Sequence, residues 1–395
     1  MKIAFITPEF VTEARFDGGL ANYLNKVSQA LKQRGHTVYI IVSSDRDEVF
    51  EYDGITVIRV TMQSKLLKYL RKIVGGKAYT PLYWLFQSRK LNKALDDLHK
   101  EAILDIAQFT SLEGTAFFKS DKIVGVTRIS SYTPMWDLAQ NNPAGITRKS
   151  LYYFEREAMK KSDALYGPSE VIAEVIRKEI KREIEIIESP LSGKDAMVAN
   201  IYNDTLSGKK YLLFFGTICL HKGVKEIGDM IYPLLERYKE LFFVFIGKNR
   251  TYLGKPMIDY VWKQADIHRG RCLYLGSMKQ ELLRPIIDNA EAVVLPSRVD
   301  NFPNTCIESM AMGQVVIGTR GASFDQLIND SENGFLCEKE NSVSLAETIE
   351  RVLALDAETK KEISKNAIQT VQRLEPSLIV DQLESFYIKV INHRL

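Results

Sequence analysis

Ala292-Val-Val-Leu-Pro-Ser297, then Asp300-Asn-Phe-Pro-Asn-Thr-Cys-Ile-Glu308-Ser-Met-Ala-Met-Gly313, then Val315-Val-Ile-Gly318, is the stretch that decides how this chain folds. The apolar runs at either end are continuous rather than alternating, as in strands of a sheet covered on both faces. Between them the pattern predicts a loop and a short helix, with Asp300 in the loop and Glu308 in the first helical turn. The N–H groups that open a helix favour phosphate, and carboxylates accept hydrogen bonds from sugar hydroxyls. A ligand with hydroxyls at its ends and phosphates between them, such as a nucleotide-sugar, matches both.

Outward from this stretch the same alternation continues. Strands are predicted at Tyr211–Gly216, Leu241–Gly247, Cys272–Gly276, Ala292–Leu295, Val315–Gly318 and Phe335–Cys337, with helical segments between them. Helical spacing runs from Leu345, and a last helix covers Ser377–Val390. Upstream, Ile3–Ile6 leads through Asp17-Gly18-Gly19 into a helix marked by Leu20, Tyr23, Leu24, Val27 and Leu31, which Gly35 stops. Strands follow at Thr37–Val42, Ile55–Ile58, Ile103–Gln108, Ile123–Thr127 and Ala164–Tyr166. The stretch with Ser189-Pro190 and Ser192-Gly193 breaks the pattern. The expected class is therefore α/β: a Rossmann-like domain over 1–188, a linker over 189–208, a second Rossmann-like domain over 209–375, and a closing helix over 376–395 that crosses back to the first domain. Two doubly wound parallel-sheet domains of this kind are expected to face a central cleft, with ligand at the carboxyl ends of the strands.

Composition narrows the function. The chain of 395 residues is 45% hydrophobic and 26% charged, with a net charge of +3, and no nucleic-acid signature accompanies that small excess. Cys219, Cys272, Cys306 and Cys337 are scattered, with no metal-ligand spacing, and read as free thiols of a reducing compartment. The N-terminal apolar run is too short for a signal peptide and no run has the length of a membrane span, so a cytoplasmic location is expected.

Several loops carry candidate chemistry. Gly18-Gly19, in the first strand-to-helix loop, would let backbone N–H groups approach a diphosphate, or are simply turn glycines. They do not form G-x-G-x-x-G, which argues against a dinucleotide dehydrogenase. Gly216-Thr-Ile-Cys-Leu-His-Lys222-Gly223 again joins strand to helix and puts Lys222 in the first helical turn, where a cation opposes the macrodipole unless an anion binds there. His221 reads as incidental. Thr305-x-x-Glu308 also fits a capping box, and Asp300 or Asn304 could serve as turn or helix caps. Asp45-Arg-Asp47 has the spacing of a metal-holding pair, but no further ligand is near it in sequence, and no metal site is expected. Lys65–Val74 can form a basic amphipathic helix, with Leu66, Leu67, Leu70, Ile73 and Val74 on its apolar face. With the basic and aromatic residues that follow, 65–93 reads as a contact for an anionic membrane surface or as a helix packed on its own domain.

With these residues in place, the chain resembles the retaining family-4 glycosyltransferases of GT-B fold nearly end to end. The resemblance is carried by Gly18-Gly19, Leu31-Lys-Gln-Arg-Gly-His36, Gly216–Gly223, Leu275-Gly276, Pro296-Ser297 and, most specifically, Asp300 through Gly313. There the family shows E-x7-E followed by E-A-M-A-x-G, and this chain has Asp300 and Glu308-Ser-Met-Ala-Met-Gly313. The resemblance implies that Glu308 binds the donor ribose and that Asp300 lies by the transferred sugar. It implies that the backbone at Asn304 and Thr305, with Gly18 and Gly19, holds a diphosphate that Lys222 neutralises. Thr217 and Gly247, at the ends of two strands, join the donor-binding set. Three positions depart from the family: Thr217 stands where an arginine is common, Ser130 lies nearest the place of a frequent histidine, and Asp300 replaces a glutamate.

The resemblance implies transfer of a sugar from a UDP- or GDP-sugar, used as co-substrate with no other cofactor or metal, to a hydroxyl of a glycan, lipid-linked or small-molecule acceptor. Asp300, Lys222 and Glu308 would be its catalytic residues. A catalytically silent nucleotide-sugar-binding subunit, suggested by Thr217 and Ser130, and a nucleotide-sugar epimerase on the same fold are the alternatives.

Overall fold

The computed structural model of the chain describes residues 1–14, 18–143, 145–191 and 198–394, with only the backbone at Leu66, Lys68, Leu70, Val74 and residues 75–78. It divides into two compact units, Met1–Pro190 with Leu374–Leu395, and Leu191–Arg373.

The first unit is built on eight strands: β1 (Lys2–Thr7), β2 (Thr37–Ser44), β3 (Glu48–Tyr52), β4 (Ile55–Thr61), β5 (Ile106–Thr110), β6 (Gly125–Arg128), β7 (Ala164–Gly167) and β8 (Glu185–Ile186), in the order β3-β4-β2-β1-β5-β6-β7-β8. All neighbours are parallel except β3, which pairs antiparallel to β4 at the edge. In β1 the residues Ile3, Ala4, Phe5 and Ile6 are wholly buried, with Ile3 in register with Val38 on one side and Ile106 on the other. Burial on both faces is what a continuous apolar run without alternation requires. The chain returns to this unit through the helix Pro376–Arg394, longer at both ends than its apolar spacing predicts. Tyr387 on that helix donates to Gln108 Oε1 in β5, and Tyr166 Oη donates to the same oxygen at 2.6 Å. At the surface, Arg34 pairs with Asp381 and Glu384.

The second unit carries β9 (Lys210–Phe215), β10 (Leu241–Ile246), a small hairpin of β11 (Thr251–Tyr252) and β12 (Lys255–Pro256), β13 (Cys272–Tyr274), β14 (Ala292–Val294), β15 (Val316–Thr319) and β16 (Phe335–Cys337). Its parallel sheet has the order β13-β10-β9-β14-β15-β16, so winding reverses direction between β9 and β14. The expected linker 189–208 is shorter than its composition suggests. Helix Asn200–Thr205 lies within it, and Val198 N donates to Glu281 O at 2.9 Å, which ties this segment into the second unit. Ser192 and Gly193 lie outside the described residues, as does Asp17 in the first loop.

A strand-end glycine in this sheet is sterically required. Gly247 has φ +140°, and a Cβ there would stand 1.8 Å from Gly216 O. We expect Gly247→Ala to force β9 and β10 apart, costing more than about 2 kcal/mol. The apparent unfolding temperature should then drop by more than about 4 °C in a calorimetric scan; an unchanged transition would contradict the close approach.

Candidate functional site

The reversal between β9 and β14 opens a crevice at the carboxyl ends of two adjacent strands, where doubly wound sheets bind ligands. The loop after β9 turns at Gly216 (φ +130°) and passes through a short helical turn, Leu220–Lys222, before Gly223 starts the helix Val224–Arg237. Lys222 therefore precedes that helix instead of lying in its first turn, because Gly223 is left-handed (φ +74°) and breaks the helical run. No other residue fits at 223, since a Cβ would meet Pro296 O at 1.8 Å.

That contact begins a set of stitches between the loops after β9 and β14. Arg298 N donates to His221 O at 2.8 Å, and Lys222 Nζ forms an ion pair with Asp300 Oδ2. The backbone of Asp300 is fixed in turn by Ser323 Oγ, which donates to its carbonyl at 2.7 Å. Asp300 is buried and Lys222 half-buried. A lysine and an aspartate 78 positions apart in sequence thus share one point of the crevice.

The helix Asn304–Ala311 follows directly. Its N-cap is Pro303, whose carbonyl accepts from Cys306 N at 2.9 Å and Ile307 N at 3.1 Å. The capping box anticipated at Thr305 and Glu308 is not formed, because the helix starts one residue before Thr305, leaving Thr305 at its second position and Glu308 in its second turn rather than its first. Asn304, likewise, is the first helical residue and not a cap. Thr305 lies beside the β9 turn, its methyl 3.8 Å from where a Cβ on Gly216 would stand. Lys222, Thr217, Gly247, Asp300, Asn304 and Thr305 are therefore carried by neighbouring strand ends of one sheet, and Glu308 is half-buried farther along the same short helix. Ser323 gave no signal in sequence; its role depends on a fold that returns the loop after β15 to Asp300.

Arg298 does not supply the cation missing at Thr217. It is buried and committed to Glu226, with Glu340 Oε2 at 3.1 Å from its other nitrogen. In the first unit, Gly18 (φ +99°) is the N-cap of the helix Gly19–Gln33, with no side-chain cap. Ser130 N donates to Ser111 Oγ at 3.0 Å, joining the loops after β6 and β5. The Asp45-Arg46-Asp47 pair is used locally: Asp47 accepts from Thr61 N at 2.8 Å and Arg46 pairs with Asp45 and Glu48. Among the described residues no group of three or more His, Cys, Asp or Glu side chains could hold a metal ion. All four cysteines are free and buried.

The basic amphipathic segment belongs to a helix of 38 residues, Lys65–Ala102. Its expected apolar face divides, with Leu67 buried and Ile73 61% exposed beside an exposed Tyr69, while the side chains of Leu66, Lys68, Leu70, Val74 and Lys77 lie outside those described. Among the described residues no helix is long and apolar enough to cross a membrane.

Comparison with known proteins bears on the fold and on the class of activity. Residues 203–370 match the family model described as glycosyl transferases group 1. An uncharacterised glycosyltransferase of Methanocaldococcus jannaschii is 23% identical over 381 residues, covering 90% of this chain and 89% of its own. Alpha-D-kanosaminyltransferase of Streptomyces kanamyceticus is 22% identical over 336 residues, covering 80% and 83%. Among solved structures, sucrose-phosphate synthase from Thermosynechococcus elongatus superposes with a TM-score of 0.78 at 17% identity, covering 99% of each chain. The fold is GT-B, and the family match and the relatives' names support glycosyl transfer as the class of activity.

One titratable group in the β9 loop bears on stability. Burial, and then the charge of Lys222, pushes the His221 imidazole down to about 4, and Cys219 Sγ lies 3.4 Å from its Nδ1. An unfolded histidine titrates near about 6.5. Below that value the unfolded chain takes up a proton that the folded chain refuses, so this group's contribution is present above pH ~6.5 and lost as pH falls towards ~4. We expect His221→Gln to remove part of the acid destabilisation, on the order of 1 kcal/mol at pH ~4 after allowance for solvent screening. Urea titrations at pH 7 and pH 4 measure it, and parallel pH profiles for both proteins would contradict it.

Proposed function

We propose that the protein transfers a sugar, with retention at the anomeric carbon, from a nucleoside diphosphate sugar to a hydroxyl of a glycan, lipid-linked or small-molecule acceptor. The observation that carries this reading is the Lys222–Asp300 pair at the point where the second unit's sheet reverses direction. In the bound state the donor's pyrophosphate, UDP- or GDP-linked, displaces the Asp300 carboxylate from the Lys222 ammonium. It also takes N–H groups from the start of the helix Asn304–Ala311. Asp300 is then free to accept a hydroxyl of the transferred sugar, and Glu308 accepts from the ribose.

The reaction itself breaks the bond between the anomeric carbon and the leaving phosphate oxygen and forms one to the acceptor oxygen on the same face. The acceptor proton passes to the departing phosphate. Lys222 stabilises the charge that grows on that phosphate, so the neutralising role falls to a side chain and no metal is invoked. Thr217 and Gly247, which follow β9 and β10 in the same sheet, complete the donor-binding set beside the diphosphate. A silent nucleotide-sugar binder is the second reading, favoured by Thr217 and by the engagement of Arg298 with Glu226 and Glu340, which leaves one fewer cation for the leaving group.

A charge-assisted contact contributes about 1.5–3 kcal/mol, and about 1.4 kcal/mol is a factor of ten. Lys222→Ala should therefore lower transfer efficiency on the order of 10–100-fold with its circular dichroism intact. The donor is chosen first by thermal shift with UDP, GDP and their sugars. Wild-type turnover in the variant would remove Lys222 from the mechanism, and donor-induced stabilisation without hydrolysis or transfer would favour the silent binder.

We further propose that the enzyme works on the cytoplasmic side, against an anionic membrane surface reached through 65–93. Tyr69 and Ile73, both exposed, support the contact. Replacing Arg71 and Lys72 by glutamate should abolish sedimentation with phosphatidylglycerol vesicles at low salt, and unchanged sedimentation would exclude this surface.

A further inference from the structure

The helix Thr133–Ala139, which follows β6 through Ser130 and Ser131, has no side-chain cap of its own. The cap comes from a neighbour: Glu155 Oε2, on the helix Ile146–Lys160, accepts from Thr133 N at 3.0 Å. Glu155 is fully buried, and its other oxygen, Oε1, has no hydrogen-bond partner. A glutamine would accept from Thr133 N equally well and carry no charge. A carboxyl in that place can ionise, and it then becomes a buried charge with one oxygen unpaired, which is unfavourable.

The helix that Glu155 holds is otherwise weakly anchored. Within it only Asp137 and Ala139 are buried, Met135 and Trp136 pack in part, and Leu138 is 79% exposed. Asp137 accepts from Tyr152 Oη at 2.7 Å and from Asn142 Nδ2 at 3.2 Å, with Arg148 Nε at 3.4 Å. Docking on the helix Ile146–Lys160 thus leans on two carboxylates, and elements with few buried apolar contacts open readily. The surrounding charges do not rescue an ionised Glu155. Asp137 disfavours it, and the Arg156 guanidinium that favours it is shared with Tyr132 Oη at 2.8 Å and with Glu179. Glu113, from the turn that packs at Phe154 and Ala158, accepts from Gln87 Nε2 at 2.6 Å instead. Arg89 of the helix Lys65–Ala102 turns to the Phe118 ring. Burial, against the pull of Thr133 and Arg156, pushes the Glu155 carboxyl up to about 8.

We propose that Glu155 is a proton-operated clasp: its neutral form holds the helix Thr133–Ala139 on the helix Ile146–Lys160, and loss of the proton lets the first of these open. That helix continues directly from Ser131, whose N–H donates to Ser111 Oγ at 3.2 Å, so opening frees the end of the loop after β6. The clasp needs no substrate and is independent of the transferase reading. A solvated glutamate titrates near about 4.3. Docking strength from this group is therefore fully present below pH ~4.3 and is lost as pH rises through ~8. In that window one released proton makes opening easier by up to about tenfold per pH unit.

Hydrogen exchange on the full chain tests this, read as protection factors so that the intrinsic pH dependence of amide exchange divides out. The amides of Met135, Trp136 and Gln140 donate to Tyr132 O and Trp136 O and report on this helix. Their protection should fall more than about tenfold from pH 5 to pH 7, while that of the helix Glu170–Ile180 stays level. Glu155→Gln keeps the cap without the charge and should hold protection constant across the same range. Glu155→Met, which removes both, should give lower but equally constant protection and serves if the first variant fails to fold. A smaller fall in the wild type, a matching fall in Glu170–Ile180, or the wild-type slope in either variant overturns the clasp.

Discussion

A parallel sheet wound outward in both directions from its first strand must leave one place where neighbouring strands send their chains to opposite faces. Everything described for the second unit depends on that constraint at β9 and β14. The loops that part there are held in register by backbone contacts first: Gly223 against Pro296 O, and Arg298 N on His221 O. The Lys222–Asp300 pair then sits on a frame that is already closed. A partly buried ion pair adds little net stability, since desolvation offsets most of the Coulomb attraction. Its consequence is chemical: a cation is held at Asp300, in the loop that leads into the helix Asn304–Ala311.

The surroundings keep that frame rigid at the expense of options. Arg298 is buried against Glu226 with Glu340 close by, so a guanidinium only two residues from Asp300 serves the scaffold and not a ligand. Gly216 and Gly247 bring two strand ends so close that no side chain fits between them. The first unit shows a comparable trade. Its last helix is locked by Tyr387 and Tyr166 on Gln108 Oε1, with the hydroxyls of Tyr23 and Tyr166 3.0 Å apart and Arg128 over the Tyr23 ring at 3.6 Å. Gln108 Nε2 and Arg128 Nε find no partner among the described residues, so the network is incomplete, but its directional bonds still favour one docking of the helix where an apolar contact would tolerate several.

Much of this was legible in the residues. Continuous apolar runs such as Ile3–Ile6 and Leu241–Ile246 announce strands buried on both faces, and glycines at 216, 247 and 276 announce where they end. The motif from Asp300 to Gly313 placed a loop and a short helix between two strands, as found. Boundaries within that motif were not legible. Thr305 and Glu308 satisfy the spacing of a capping box, yet the turn at Pro303 starts the helix earlier, and spacing carries no information on which residue's carbonyl the first helical N–H will meet. Lys222 was displaced from the helix for a similar reason: Gly223 breaks the run with a left-handed backbone, and the demand for glycine there comes from Pro296, distant in sequence, whose carbonyl leaves no room for a Cβ.

Period, composition and punctuation thus determined the class of fold and the order of most of its strands along the chain, though not β3, β8, β11 or β12, because each is a local consequence of what neighbouring residues prefer. Only the tertiary structure decided which of those loops meet. Lys222 finds Asp300, Ser323 finds the carbonyl of Asp300, and Gln87 finds Glu113, because strand order in space, not order in sequence, sets the distances. No local preference encodes a partner dozens of residues away; the winding of the sheet supplies it.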